Sequence, residues 1–299
     1  TTATGGTFLQ HLVDNRQVGV TTDMTTACAF GVAPAALQTI AIRTPGPLYS
    51  TAQVSAQSFL RFANTGTAAG SVAVTLRNAA TGARYGQWTS PPIPPGAAPQ
   101  YGISDIETAL NISAKPQYYA AMIETQIAGS VAHVLWKPSD STLTNLSTCE
   151  AGVSSNTALA ANVHSSLLDT NYPSTVAVNN TGSAAQAFTL GVFDARSGAR
   201  LGTATTAAIP ANGQLLLAVS AIERAINLTP SGALFHYVVK LESGTGFLQH
   251  LVNNQARAVI TDMTTVCQLP ARAVSFTDCA PNIAPRCTAA VGAPTSGQL

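Results

Sequence analysis

The sequence contains few charged residues. Only 9% of its 299 residues are Asp, Glu, Lys or Arg, and the formal net charge is +1, whereas about a quarter of an average soluble protein is charged. No run of Lys and Arg marks a face for nucleic acid or an anionic membrane, so we expect no nucleic-acid partner. Ser, Thr, Gly, Pro and Asn interrupt every apolar run before it reaches spanning length, so we expect no membrane span.

The sequence also lacks the common motifs of catalysis and cofactor binding. It has no GxSxG, P-loop, GxGxxG or EF-hand pattern, and its 13 acidic residues are scattered singly instead of forming an acidic pair. It has no CxxC and no cluster of His and Cys with the spacing of a zinc site. We therefore predict a protein that is not an enzyme and that has no catalytic residues, no cofactor and no metal.

The sequence does contain an internal repeat. Residues 8–28 recur at 247–267 with 14 of 21 positions identical, and a more divergent copy lies at 131–149. Each copy has one histidine and, 16 or 17 residues later, one cysteine: His11 and Cys28, His133 and Cys149, His250 and Cys267. Each histidine stands alone in an apolar segment, so we interpret it as a structural residue. Repeats of this kind indicate a modular architecture.

A second set of matches, at an offset of 116 residues, extends the repeat. Asn64 matches Asn180, and Ile106 matches Ile222, each within a short identical motif. We therefore predict four segments: an N-terminal partial-repeat hairpin with a linker (1–51), a first module (52–150), a second module (151–268) and a tail containing Pro and Cys (269–299).

Each module shows the pattern of short strands. Residues 59–64 and 71–77 alternate between apolar and polar, and so do 175–179 and 187–193. Glycines in short loops after the second strand of each module favour hairpins, because glycine adopts positive φ readily.

One helical signal interrupts the strands of each module. Ser104 and Glu107 have capping-box spacing, as do Ser220 and Glu223. Six or seven strands in about 100 residues, with one short crossover helix, predict an all-β protein with two tandem Ig-like β-sandwich modules. In pattern and composition, residues 52–268 resemble the tandem Ig-like or fibronectin-like modules of bacterial surface and appendage proteins. This resemblance concerns architecture and implies no functional residue.

Two features favour an extracellular or cell-surface location. Cys279 and Cys287 bracket a Pro-rich segment of seven residues, which predicts a disulfide and an oxidising compartment. Thr1 has no Met or leader ahead of it, as expected of an exported mature chain. The three remaining cysteines would then leave one unpaired or bridging to a neighbouring subunit.

The first copy of the repeat is the basis of our functional prediction. It has no preceding module, so the strands can be grouped in two ways. In the first, residues 52–150 and 170–268 each form a sandwich and the first hairpin is spare. In the second, each hairpin forms a sandwich with the strands that follow it. Both framings leave a partial module at one end, as head-to-tail strand exchange requires. The residues predicted to form the assembly surface are the apolar positions of the terminal copies: Phe8, Leu12, Val13, Val20, Met24, Phe247, Leu251 and Met263.

We therefore predict a non-catalytic structural subunit of an extracellular filament or surface assembly, with further copies of itself as partner. The hairpin could instead fold back on its own chain. The alternative function is a monomeric adhesin or carbohydrate-binding protein, with a cell-surface anchor or glycans as partners. Exposed aromatic residues would then bind sugar, either Tyr85 with Trp88 or Tyr118 with Tyr119.

Overall fold

The computed structural model describes residues 10–25, 28–30, 40–53, 55–125, 127–147 and 159–264, with the backbone alone described at 28–30 and 40–46. The described residues cluster as one compact unit. Strands dominate the described chain, and they form several antiparallel sheets. The prediction of an all-β, sandwich-type fold is confirmed.

The first copy of the repeat is a separate two-stranded sheet. It consists of β1 (Leu12–Asn15) and β2 (Val20–Asp23), paired antiparallel.

A first pair of sheets follows the hairpin. Its strands are β3 (Cys28–Phe30), β4 (Ile40–Tyr49), β5 (Gln57–Asn64), β6 (Val72–Asn78), β7 (Arg84–Thr89), β8 (Gln100–Gly102), β9 (Tyr118–Thr125), β10 (Gly129–Lys137) and β11 (Thr142–Asn145). One sheet has the order β11-β10-β5-β8, with β3 also paired to β10, and the other has the order β4-β9-β6-β7. Both sheets contribute to one buried core that includes Leu60, Phe62, Val74 and Ile123.

A second pair of sheets has the same topology. Its strands are β12 (Leu159–His164), β13 (Ser174–Asn180), β14 (Thr189–Asp194), β15 (Arg200–Thr205), β16 (Gln214–Ala218), β17 (His236–Ser243), β18 (Gly246–Asn254) and β19 (Val259–Asp262). The sheet orders are β19-β18-β13-β16 and β12-β17-β14-β15, and a second core that includes Val176, Phe188, Leu190 and Val239 lies between them.

The strand pairing decides between the two framings of the repeat. β10 pairs with β5, and β18 pairs with β13, so the second and third hairpins belong to the strands that precede them, and the first hairpin is the spare one. β4 lies in the linker part of the first predicted segment, 1–51, and β12 lies near the start of the predicted second module, 151–268. Each is an edge strand of its sheet. Because it pairs on one side only, its alternation of apolar and polar residues is weaker than that of the central strands.

The predicted glycine loops are confirmed. Gly82 follows β6 and Gly198 follows β14, and both have φ of +71°.

The two short helices are present, but their predicted caps are not. They are α1 (Ile103–Ala109) and α2 (Val219–Ala225), and a single 3-10 turn spans Ser166–Leu168. Ser104 lies inside α1, and the backbone N–H of Gly102 instead donates to Asp105 Oδ2 at 3.1 Å. The capping-box interpretation was wrong because Glu107 points into the sandwich. Within the described residues, no helix is long and apolar enough to cross a bilayer.

Candidate functional site

The repeated acidic position of the hairpins is a turn-forming residue. Asp23 Oδ1 accepts from the backbone N–H of Thr25 at 2.8 Å, and Asp262 Oδ1 accepts from Thr264 at 2.9 Å. Asn145 Oδ1 makes the same contact with Ser147 at 3.2 Å in the middle copy. An amide thus replaces the carboxylate without loss of the turn, as expected of an Asx-type contact.

The hydroxyl two residues later binds the strand that carries the histidine. It accepts from the histidine backbone N–H in all three copies: His11 to Thr25 at 2.7 Å, His133 to Ser147 at 2.9 Å and His250 to Thr264 at 2.6 Å. Much of the repeated motif therefore specifies how the two strands of a hairpin are joined.

The histidine side chains differ between copies. His133 and His250 are buried, and their Nε2 atoms lie 2.9 and 2.8 Å from the hydroxyls of Ser58 and Ser174 on the neighbouring strands. Burial lowers the pKa of His133 to about 3, and burial together with His164 lowers the pKa of His250 to about 4. Both therefore pack as neutral side chains. His11 is exposed.

Three histidines meet in the second sheet pair, although they are far apart in sequence. The register of β12 and β17 places His164 opposite His236, with ring centroids 5.3 Å apart, and His250 lies 6.1 Å from His164. His164 and His236 lie in no shared sequence motif, so only the strand register brings them together. Even so, among the residues with described positions, no group of three or more His, Cys, Asp or Glu could hold a metal ion.

A buried glutamate fixes each short helix to its sandwich. Glu107 accepts from the hydroxyl of Tyr119 at 2.9 Å and from the backbone of Thr51, and Lys115 Nζ lies 3.0 Å away. Burial opposes ionisation of Glu107, but the hydrogen bonds from Thr51 and Lys115 prevail and hold its pKa below the usual value.

Its counterpart in the second sheet pair has a different neighbour. Glu223 accepts from the hydroxyl of Tyr237 at 2.8 Å and from the backbone of Ser166 at 3.0 Å. Burial and the proximity of Glu223 raise the pKa of Asp169. The shared Tyr–Glu contact explains the matching Ile-Glu motif of the two modules as a structural feature.

The predicted assembly residues have very different environments. Leu12 is 54% exposed, whereas the residues at the same repeat position, Val134 and Leu251, are 0% and 5% exposed. Val13 and Val20 are half-buried, and Met24 and Phe247 are buried. Met263 is an exposed apolar residue. Phe8 lies outside the described residues.

Side-chain packing and strand pairing both differ between the copies. Leu251 packs with Leu135, Leu146 and Tyr49. The outer edge of β10 pairs with β5, and that of β18 pairs with β13. Across the described ranges, β1 pairs with β2 alone. The other edge of β1 therefore has no partner strand in the part of the chain that the structure describes.

The first hairpin nevertheless contacts its own chain on its other side. Thr22 Oγ1 donates to the backbone carbonyl of Leu143 at 2.6 Å, and Asn15 Nδ2 donates to that of Asp140 at 2.9 Å. Asn145 Nδ2 donates to the carbonyl of Asp23 at 3.2 Å. These side-chain contacts hold the hairpin against β11, although the two elements do not pair as strands. The hairpin is therefore partly folded back onto its own chain.

The predicted disulfide lies outside the described residues, since Cys279 and Cys287 both follow residue 264. The same holds for Cys149 and Cys267. Cys28 begins β3, which pairs with β10.

The aromatic pairs considered for sugar binding are mostly in the first core. Trp88 packs edge-on against Tyr101 with centroids 4.9 Å apart, and Tyr85 packs against Tyr119 at 5.4 Å. Tyr119 is fully buried. Tyr118 is half-buried and lines a cavity.

In comparisons with protein-family models and with curated proteins, the chain has no significant match.

Proposed function

We propose that the chain is a non-catalytic structural subunit of an extracellular or cell-surface assembly, and that copies associate head-to-tail through the free edge of β1. The observation that carries this proposal is the exposure of Leu12 at a repeat position that is buried in both other copies. A strand edge with unpaired N–H and C=O groups is a template for pairing with another chain.

The partner we propose is a second copy. In this chain the strands that cover β10 and β18 are β5 and β13, and both already pair on their two sides. They are therefore not available to cover β1 of the same molecule. A contact between β1 and a sheet edge elsewhere on another copy joins two different surfaces, so it does not close by two-fold symmetry and can continue as a filament.

The outer face of the hairpin indicates which forces would hold the copies together. Apart from Leu12, the exposed positions of its two strands are polar: Asp14, Thr21 and Asp23. Backbone hydrogen bonds along the edge, with Leu12 as the apolar contact, are therefore the main attraction. The low overall charge keeps repulsion between copies small.

The test is the size of native material as its concentration rises, measured by light scattering and negative-stain imaging. We expect higher-order assemblies from the unmodified chain and monomers from Leu12→Asp, because a charge on an edge strand opposes pairing. Leu167→Asp is the matched control, since Leu167 is 48% exposed on a different element, and it should assemble normally. Monomers of the unmodified chain at every concentration, or unimpaired assembly of Leu12→Asp, would contradict the proposal.

A photo-crosslinking amino acid at position 12 would identify the partner edge. We expect crosslinks between copies, mapped by mass spectrometry to an edge strand. The same group at position 167 should give none. Crosslinks confined to one molecule would instead identify the hairpin as a folded-back cap.

A further inference from the structure

The three hairpins are joined in series by one repeated hydrogen bond. The first hairpin (β1–β2) joins the second (β10–β11) where Asn15 Nδ2 donates to the backbone carbonyl of Asp140 at 2.9 Å. The second joins the third (β18–β19) where Lys137 Nζ donates to the carbonyl of Arg257 at 3.0 Å. Asn15 and Lys137 share one position of the repeat, which we call the donor position, and Asp140 and Arg257 share another, the acceptor position. The same relation between neighbouring hairpins therefore occurs twice.

The two ends of this series each keep one half of the hydrogen bond unused. Asn254 occupies the donor position of the third hairpin. Its Oδ1 accepts from the backbone N–H of Arg257 at 3.2 Å, but its Nδ2 has no acceptor among the described residues. Val18 occupies the acceptor position of the first hairpin, and no described residue donates to its carbonyl. A free donor at one end thus matches a free acceptor at the other.

The hairpins are also joined by apolar side chains at two repeat positions. Leu146 of the second hairpin and Leu251 of the third are buried in one cluster. The residues at the same two positions of the first and second hairpins, Met24 and Val134, are buried as well. Each internal junction therefore removes one residue of each position from water.

Each end of the series leaves one residue of these positions exposed. Leu12 of the first hairpin shares the repeat position of Leu251, and it is exposed. Met263 of the third hairpin shares the position of Leu146, and it is 45% exposed. The first hairpin has no hairpin before it and the third has none after it, so each lacks the apolar neighbour that its counterpart has inside the chain.

We propose that the series continues from one copy into the next, with the third hairpin of one copy against the first hairpin of another. Met263 packs on Leu12, as the equivalent pair does inside the chain, and Asn254 Nδ2 donates to the carbonyl of Val18. The two surfaces differ, so the contact does not close by two-fold symmetry and repeats in one direction. This inference rests on the proposed assembly and names the surface of the second copy, the end of the sheet at β19, which is an edge strand.

A charge-complementation experiment with full chains tests this pairing. Leu12→Asp and Met263→Lys each place a charge against an apolar side chain at every contact, so we expect each variant alone to be monomeric by light scattering. Mixed in equal amounts, the two variants should assemble. In the mixture, the unmodified Met263 of one variant meets the unmodified Leu12 of the other, and the two introduced charges meet with opposite sign at the next contact.

Three measurements serve as controls. Ala68→Lys should assemble like the unmodified chain, since Ala68 is exposed in the loop after β5. Because positions 12 and 263 are exposed, both charged variants should unfold at the temperature of the unmodified chain. Asn254→Asp keeps the acceptor for Arg257 but removes the amide donor, and should raise the concentration needed for assembly at least about fivefold.

The outcomes separate this pairing from the assembly on which it rests. Monomers of the unmodified chain at every concentration would overturn both. Assembly that Leu12→Asp abolishes but Met263→Lys leaves intact would overturn the pairing alone, and so would a mixture of the two variants that stays monomeric.

Discussion

The hairpin of β1–β2 and the hairpin of β18–β19 have nearly the same sequence in different surroundings. Both have the Asp-to-Thr turn contact and the bond from the histidine N–H to the threonine hydroxyl. In the third copy, however, β13 pairs with the outer edge of β18 and its Ser174 bonds to His250, while Leu251 packs with Leu135, Leu146 and Tyr49, so that both side chains are buried. Leu12 and His11 remain exposed. The comparison teaches that the repeat specifies a hairpin, and that the surrounding strands decide which of its side chains are buried.

The largest expected effect concerns the buried histidines at acid pH. Their pKa values in the folded state, about 3 for His133 and about 4 for His250, lie below the ordinary value of about 6.5. The unfolded chain therefore binds more protons below pH 6.5, so stability is complete above that pH and is lost as the pH falls toward the folded-state values. At about 1.4 kcal/mol per pKa unit, each histidine should cost about 3 kcal/mol by pH 4.

Urea unfolding at pH 7 and pH 4 measures this loss. His133→Gln should reduce the difference in unfolding free energy between the two pH values by about 3 kcal/mol, because its side chain does not titrate. An unchanged pH dependence in this variant would show that His133 is not buried as a neutral side chain.

A matched pair of truncations gives the next largest effect. Leu251→Ala removes a buried side chain that packs with Leu135, Leu146 and Tyr49, and should lower the free energy of unfolding by about 2–5 kcal/mol. Leu12→Ala, at the same repeat position, should change it by no more than about 0.5 kcal/mol. Urea unfolding of dilute monomer checks both. Equal costs would mean that β1 is covered within one molecule.

A smaller effect is expected at the repeated turn residue. Asp262 accepts from Thr264 N–H and, through Oδ2, from Gln249 Nε2 at 2.8 Å. Asp262→Ala should cost about 1–3 kcal/mol because these donors lose their acceptor, as measured by urea unfolding. Asp262→Asn should cost less, since Asn145 makes the same turn. Asp23→Ala in the exposed copy should also cost less than Asp262→Ala, and the reverse order would contradict the comparison.

Much of the fold was predictable from local pattern. The strands at 59–64, 71–77, 175–179 and 187–193 and both helices were predicted where they occur, because alternation and short apolar segments follow from the faces that an element buries. The bounds of the edge strands β4 and β12 were not predicted, and Glu107 and Glu223 were assigned to helix caps. These errors have one cause. An edge strand and a buried carboxylate are recognised by their partners, and those partners are distant in the sequence.

The candidate sites were less predictable. Leu12 was predicted only as one of eight apolar positions of an assembly surface, and its exposure was not predicted. The cavity beside Thr144 and Asn253 was not predicted either, because its wall is assembled from two hairpins more than 100 residues apart in the sequence. The only residue of the cavity wall that the sequence analysis had considered was Tyr118, which it paired with Tyr119 as a possible sugar-binding surface.

The sequence by itself determined the all-β class, the repeat and the hairpin that each copy forms, because turns and strand alternation depend on neighbouring residues. Only the tertiary structure decided which copies are buried, which histidines lose their charge and where a cavity opens. These properties depend on strand pairing between distant segments, and the energy of burying a side chain or an ionisable group comes from whatever that pairing places against it.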